Sequence, residues 1–376
     1  MLERNYENLT SYIKSVIRYQ QDYLKYTDLF QDMIAFVIRT VPVLDTDRKY
    51  SYLSYEDSMK LVEEFLGEFS PELLDNYQNI LSFSDKVTFI SVRGENEKIE
   101  QVIKGIEHRH EEGRMSDEKY EKILHYHNMR MLDGDDSGVS DEGEVNIYLK
   151  GNIEDAFAML HEMMHVIFFQ NVSYEDRTLN HEFLVEVNSI TAEFLFADYL
   201  ANKGILKEEA QRYILNRFLF TLDNAYLSSF HYMLMDIVKE CGYVDEGLID
   251  VYIDRCSDLE KKEFQESKEK LLNHIFSNGF VFITSNRYIM ALFMACYLKK
   301  EMVATGDVSK LFQVGKGIYQ DDLHQTLNSA SLDFFDVYTF RKLFRKKEKA
   351  MEVNELYEEM KQSFIEEWSK LEGRAR

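Results

Sequence analysis

The chain has 376 residues, enough to bury a large core, and its two prolines and 16 glycines favour helices, so we predict a mainly α fold. Its net charge of −23 at pH 7 excludes nucleic acid as a general partner, because phosphates would be repelled. The sequence has neither a long apolar run nor a secretory signal, and only three cysteines, so we predict a cytoplasmic protein with reduced thiols and no membrane partner.

The N-terminal part, residues 1–94, is predicted to be the helical start of the fold. Residues 5–40 have the apolar spacing of one or two amphipathic helices rich in Tyr, Ile and Phe. Two further helices are indicated, one beginning at Ser54 and one following Ser70, which stands in the N-capping position. The β-branched stretch Lys86–Val92 then predicts a short strand.

The next segment, residues 95–144, is the most polar part of the chain and is predicted to be a charged, variable insert. It holds two His-x-His pairs, His108 with His110 and His125 with His127, among many charged neighbours. Residues two apart do not share a helix face. They do share a face on a strand, but because so many neighbours are charged we expect exposed imidazoles here rather than a second metal site.

A second strand is predicted at 144–150, and directly after it the stretch from Gly151 to His165 ends in the pattern His-Glu-x-x-His. Positions four apart lie on one face of a helix, so His161 and His165 can bind one metal ion. Glu162 can then take a proton from a water on that metal and return it to a leaving amine. The flanking residues are apolar, and metal ligation satisfies two imidazoles that would otherwise be costly to bury.

A catalytic zinc ion usually takes three protein ligands and keeps a fourth position for water. The next apolar helix carries two acids on one stripe, Glu186 and Glu193. We favour Glu186 as the third ligand, because it follows the first helix at a distance that allows a helix–loop–helix return. His181 and Glu182 are rival ligands, but they fall at the helix start, where an acid more often serves the helix dipole. Glu193 is predicted to accept a hydrogen bond from His161 and so orient its ring.

Beyond residue 200 the chain is predicted to be nearly all helix, with 145–376 forming one continuous zinc-binding catalytic region. His231 lies on an apolar helix and is expected to be a core histidine. The last stretch, residues 352–373, has apolar residues in a heptad-like spacing: Leu356, Met360, Phe364 and Trp368. This spacing predicts a packed terminal helix.

The motifs from residue 146 to residue 200 resemble the thimet oligopeptidase/oligoendopeptidase F family of zinc peptidases. The shared features are a glycine and an acidic pair (Gly151, Glu154-Asp155) before His-Glu-x-x-His, and then the helix FLVEVNSITAEFLFADYL. In that helix Ser189 and Glu193 follow Glu186 at the family's spacing. A looser similarity covers Tyr52–Arg93 and the stretch from Gly306 onward.

The resemblance implies a zincin-like, gluzincin fold that is mainly helical, with a small β element next to the His-Glu-x-x-His helix. It implies one zinc ion on His161, His165 and Glu186, with Glu162 as the general base and short peptides as substrates. The strand at 144–150 would then offer its edge to the backbone of an extended peptide. For the family's substrate-facing tyrosine the candidate is Tyr288.

The sequence also departs from the family. Met164 stands where the family usually has glycine. The chain is also shorter than the family's members, so we expect their N-terminal lobe to be missing or reduced here. Two alternatives stay open, a catalytically weak or inactive relative that binds peptides at its zinc site, and a helical interaction protein with structural zinc. The intact Glu162 argues against the first, and a ligand set of three rather than four argues against the second.

Overall fold

A computed structural model of the chain describes residues 4–19, 27–44, 50–82, 86–128, 137–140, 144–169, 179–278, 282–306, 308, 311 and 353–375. This part of the chain is mainly helical, with one small three-stranded sheet. The predicted fold class, mainly α with a β element next to the His-Glu-x-x-His helix, is confirmed. Within these described ranges, no helix is both long and apolar enough to cross a membrane.

The elements of the first part of the chain are α1 (Tyr6–Tyr19), α2 (Thr27–Thr40), α3 (Tyr55–Phe69), α4 (Pro71–Ser82), β1 (Val87–Ser91), α5 (Val92–Glu111), α6 (Asp117–Asn128), β2 (Gly138–Val139) and β3 (Val145–Leu149). The remainder comprises α7 (Ile153–Phe169), α8 (Leu179–Lys203), α9 (Lys207–Cys241), α10 (Glu246–Ile253), α11 (Asp258–Asn278), α12 (Phe282–Thr305) and α13 (Val353–Ala375). The predicted strands are confirmed as β1 and β3, and the helices with His161 and Glu186 as α7 and α8.

Local signals in the sequence account for several of these boundaries. The Ser54 side chain caps α3 by accepting a hydrogen bond from the backbone N–H of Asp57 at 3.1 Å. The Ser70 hydroxyl accepts one from the N–H of Leu73 at 3.4 Å at the start of α4. Both predicted helix starts are therefore confirmed. The polar segment 95–144 contains most of α5 and all of α6, where the ring of His110 stacks on Tyr120 at 4.1 Å.

The chain contains two compact units. Unit one comprises Met1–Asp47, Glu175–Phe194 and Gln211–Arg376, and unit two comprises Arg48–Tyr174 and Leu195–Ala210. The division expected from sequence, with boundaries after residues 94 and 144, stays a prediction.

In unit two, the sheet has the order β1-β3-β2, so β3 is its central strand. β1 pairs parallel with β3 from Val87↔Val145 to Ser91↔Leu149, and β2 pairs antiparallel with the first residues of β3. β2 thus occupies one edge of β3 at Val145 and Asn146. The prediction that β3 offers this edge to a peptide is wrong for these residues. β2 is only two residues long and lies in an acidic, glycine-containing stretch, so its pairing left no strand pattern in the sequence.

In unit one, the terminal helix α13 packs against α12 and buries its heptad-like residues Leu356, Met360, Phe364 and Trp368. The ring of Phe364 stacks on Phe293 of α12 at 4.8 Å. A buried ion pair joins the same two helices, with the Lys299 ammonium 2.7 Å from the Glu367 carboxylate. The predicted packed terminal helix is confirmed.

The core of unit one also holds a histidine that should make stability depend on pH. His231 on α9 is fully buried, and burial, together with nearby His274, lowers its pKa to about 3. In the unfolded chain a histidine titrates near pH 6.5, so protons bind the unfolded state first as the pH falls. The contribution of His231 to stability is therefore present above pH 6.5 and is lost on acidification. Between pH 7 and pH 5 the free energy of unfolding should fall by about 2 kcal/mol for this reason.

Urea unfolding at pH 7 and at pH 5 measures this loss of stability. In a His231→Phe variant, the decrease in unfolding free energy between the two pH values should be smaller by about 2 kcal/mol. His108→Gln, at an exposed histidine of α5, is the matched control and should keep the pH dependence of the parent protein. An unchanged pH dependence in His231→Phe would mean that other groups cause the acid sensitivity.

Candidate metal centre

The turn between β3 and α7 determines where the helix with the two histidines begins. Gly151 has a φ of 79°, in the left-handed region that glycine adopts without strain. The buried Asp155 carboxylate accepts hydrogen bonds from the backbone N–H groups of Lys150 at 2.7 Å and Gly151 at 2.8 Å. Burial raises the pKa of the Asp155 carboxyl, and these hydrogen bonds act against that rise. The glycine and the aspartate thus hold the start of α7 in place.

Helix α7 is apolar on most of its surface and packs against α3, α4 and β3 within unit two. The apolar residues of α7 that surround the two histidines are buried, among them Phe157, Leu160 and Met163. His161, Glu162 and His165 are themselves at most 7% exposed. Polar side chains buried in this setting require partners, which is the condition under which metal ligation is favourable.

The two imidazoles turn toward the same point. The Nε2 atoms of His161 and His165 lie 3.0 Å apart, and the ring planes are nearly perpendicular, at 86°. Two nitrogens bound tetrahedrally to one zinc ion at about 2.0–2.1 Å would lie about 3.3 Å apart. The separation therefore fits two ligands of one metal ion with a small adjustment.

Glu186 supplies the third donor. It is buried on α8, and the ligand atoms of His161, His165 and Glu186 all lie within 4.8 Å of one another. Two imidazole nitrogens and one carboxylate oxygen are a donor set that suits zinc and leaves a fourth position for water. The three residues therefore fit a metal ion. The side chains of the rival ligands, His181 and Glu182, lie outside the described residues.

Glu193 lies two helical turns after Glu186 and is fully buried. Its carboxylate accepts a hydrogen bond from Arg217 Nε at 2.7 Å, a second from Arg217 Nη2, and one from the Tyr213 hydroxyl at 2.9 Å. Burial by itself would lower the pKa of Arg217, but Glu193 and Tyr213 raise it well above its usual value. These bonds tie α8 to α9. That Glu193 also orients His161 stays a prediction.

Tyr288, the predicted substrate-facing residue, lies on α12 and is half-buried, and its ring packs edge-on against Phe220 at 5.1 Å. The charge of Glu186 raises the pKa of the Tyr288 phenol, and burial raises it further. Contact of Tyr288 with a substrate stays a prediction.

Sequence reasoning missed the two arginines of this site. Arg217 pairs with Glu193, and Arg287 Nη2 lies 3.4 Å from a carboxylate oxygen of Glu186. A buried acid indicates that a cation should be near, but these cations stand 24 and 101 residues further along the chain. Many arginines and lysines occur within such distances, so no local spacing singled out these two.

Comparison with known proteins yields a similarity in structure. No protein-family model matches the sequence, and no curated protein matches it. A crystal structure of a protein from Chlamydophila abortus, described as a candidate peptidase, is similar with a TM-score of 0.51 at 14% sequence identity. The chain shares the fold of that protein. The match covers 97% of this chain and 55% of that one, so the present chain spans about half the length of its structural relative.

Proposed function

We propose that the protein is a zinc-dependent metalloendopeptidase that hydrolyses short peptides. The observation that supports this function is the gathering of His161, His165 and Glu186, with Glu162 next to the first ligand on the same buried helix. The similarity in fold to a protein described as a candidate peptidase agrees with it. On the sequence motifs alone, we also propose that the protein is a divergent relative of the oligoendopeptidases and that it acts in the cytoplasm.

In this proposal each residue has a defined task. His161, His165 and Glu186 hold the zinc ion, which supplies Lewis acidity toward a water molecule and the scissile carbonyl. Glu162 accepts a proton from the attacking water and delivers it to the nitrogen of the leaving amine. We assign to the Tyr288 phenol, whose pKa is raised by the charge of Glu186, the role of donating a hydrogen bond to the substrate.

The test is cleavage of a mixed pool of short peptides, read by mass spectrometry, with metal-free protein, zinc-reconstituted protein and zinc-reconstituted protein plus a chelator. We expect cleavage only in the second sample, because the ligand set leaves one position for water and substrate. A protein that binds one zinc ion per chain and cuts no peptide would contradict the proposal and favour the peptide-binding alternative.

A further inference from the structure

Three side chains join α8 to α9 within unit one, and we call them the α8–α9 clamp: Glu193, Arg217 and Tyr213. One carboxylate oxygen of Glu193 accepts a hydrogen bond from Arg217 Nε at 2.7 Å. The other accepts one from Arg217 Nη2 and, at 2.9 Å, one from the Tyr213 hydroxyl. Arg217 Nη2 also donates to the Tyr213 oxygen at 3.0 Å. The clamp is therefore a closed ring of hydrogen bonds, in which the arginine fork fixes direction as well as distance.

The clamp stands on the same side of α8 as the metal ligand Glu186. Glu186 and Glu193 are seven residues apart, which is close to two full turns of a helix and a rise of about 10 Å. A hydrogen-bonded helix turns as one body over so short a length. Whatever fixes the rotation of α8 at Glu193 therefore also fixes the direction in which Glu186 leaves the helix.

The rotation of α8 matters because metal coordination requires accurate distances. The end of a side chain lies about 5–6 Å from the helix axis, so a rotation of about 20° moves it by about 2 Å. The distances between zinc and its ligands vary by only about 0.2 Å. A helix in the wrong rotation would thus bring the Glu186 oxygen to the metal ion only through a strained side chain, or not at all.

Apolar packing alone gives α8 little preference for one rotation. Every residue from 186 to 197 is buried, so this part of the helix has no polar face that must point to solvent. Its apolar residues point to different sides of the helix, as do Ile190, Leu195 and Phe196. Glu193 does discriminate between rotations, because its side chain is fully buried and turning it away would separate the carboxylate from Arg217.

We propose that Arg217 is a positioning residue of the metal site: through the clamp it sets the rotation of α8 and so places Glu186 to bind the metal ion. Arg217 acts through Glu193 and the helix, and the inference gives it no contact with the metal ion or with a substrate. The inference rests on the metal site of the proposed function, but it does not require that the protein cleave peptides.

The expected effect of losing Arg217 has a sign that separates positioning from charge. Arg217→Met removes a positive charge beside Glu193, which on electrostatic grounds alone would favour a bound cation. Loss of positioning has the opposite effect. We expect Arg217→Met to weaken zinc binding by about tenfold, the lower end of the range for groups that orient a metal ligand. Competition with a chelator of known affinity measures the dissociation constant.

Matched variants separate positioning from stability. Tyr213→Phe removes one hydrogen bond of the clamp and should weaken zinc binding by about two- to fivefold. Its control is Tyr357→Phe, which removes a hydrogen bond of 2.6 Å to Asp32 elsewhere in unit one and should leave the affinity unchanged. Glu367→Gln, which breaks the buried ion pair between α12 and α13, is the control for Arg217→Met. Urea unfolding shows that each variant is folded under the conditions of the metal assay.

The geometry of the site supplies a readout that a change in stability does not move. Co²⁺ bound in place of zinc absorbs visible light at wavelengths and intensities that depend on the arrangement of its ligands. We expect the Co²⁺ spectrum of Arg217→Met to differ from that of wild type and the spectrum of Glu367→Gln to coincide with it. Arg217→Lys keeps the charge without the fork, so its affinity and spectrum should lie closer to those of Arg217→Met than to those of wild type.

Three results would overturn the inference: a zinc affinity of Arg217→Met equal to or higher than that of wild type, an equal loss of affinity in Glu367→Gln, or an unchanged Co²⁺ spectrum in Arg217→Met. The inference and the proposed function can fail separately. Peptide cleavage by the wild-type protein, with wild-type metal binding in Arg217→Met, refutes only the inference. Weakened metal binding in that variant, with no cleavage by the wild-type protein, refutes only the peptidase.

Discussion

Glu162→Gln should reduce kcat/KM for peptide cleavage by about a hundred- to ten-thousandfold, the range expected for loss of a general acid–base. Glutamine has almost the same volume as the glutamate it replaces but cannot accept the proton of the attacking water. Because Glu162 is not one of the three metal ligands, the variant should still bind one zinc ion per chain. Steady-state kinetics on one cleaved peptide, with metal analysis of the same samples, measures both effects.

A matched control lies on the same helix. Glu154 is in the first turn of α7 and forms an ion pair with Lys150 at 3.0 Å, outside the group of metal ligands. Glu154→Gln removes the same charge from the same helix and should change kcat/KM by less than about threefold, because Glu154 is neither one of the three metal ligands nor the proposed general base. A Glu162→Gln enzyme that stays within a few-fold of wild type would assign the proton transfer to another group.

Glu186→Ala should weaken zinc binding by more than about a hundredfold, because even the loss of a partner outside the ligand set typically costs 10–100-fold in affinity. Competition with a chelator of known affinity measures the dissociation constant. The corresponding changes at the rival positions, His181→Ala and Glu182→Ala, should leave that constant within a few-fold of wild type. If one of them abolished binding and Glu186→Ala did not, the assignment of the third ligand would be wrong.

Metal-linked stability offers a second measurement on the same variant. Zinc at about a hundred times its dissociation constant should stabilise the wild-type protein by about 2.7 kcal/mol, since it binds the folded state only. Glu186→Ala should lose this increment at the same zinc concentration. The variant also deprives Arg287 of its contact with Glu186, so the zinc-free protein should be less stable than the zinc-free wild type by about 1–3 kcal/mol. Urea unfolding with and without zinc separates the two effects.

The parts of the site that could be predicted from sequence are those that depend on local geometry. The spacing of His161 and His165 places both rings on one face of any helix, so their approach in the structure follows from the helix alone. Glu186 was harder to predict as a ligand, because its approach requires a second helix to return to the first. The signal in the sequence was an acidic residue on an otherwise apolar stripe of that helix. The partners of the acids, Arg217 and Arg287, left no such signal.

The sequence by itself determined the helices outside the charged segment 95–144, two of the three strands, the helix caps at Ser54 and Ser70, and the two histidines with their neighbouring glutamate. Each of these follows from periodicity or capping among residues at most a few positions apart. Only the tertiary structure shows that Glu186 lies with the two histidines, which arginines meet Glu186 and Glu193, and that β2 pairs with β3. These contacts join residues distant in sequence, and they form only because burial of the apolar helix faces brings them together.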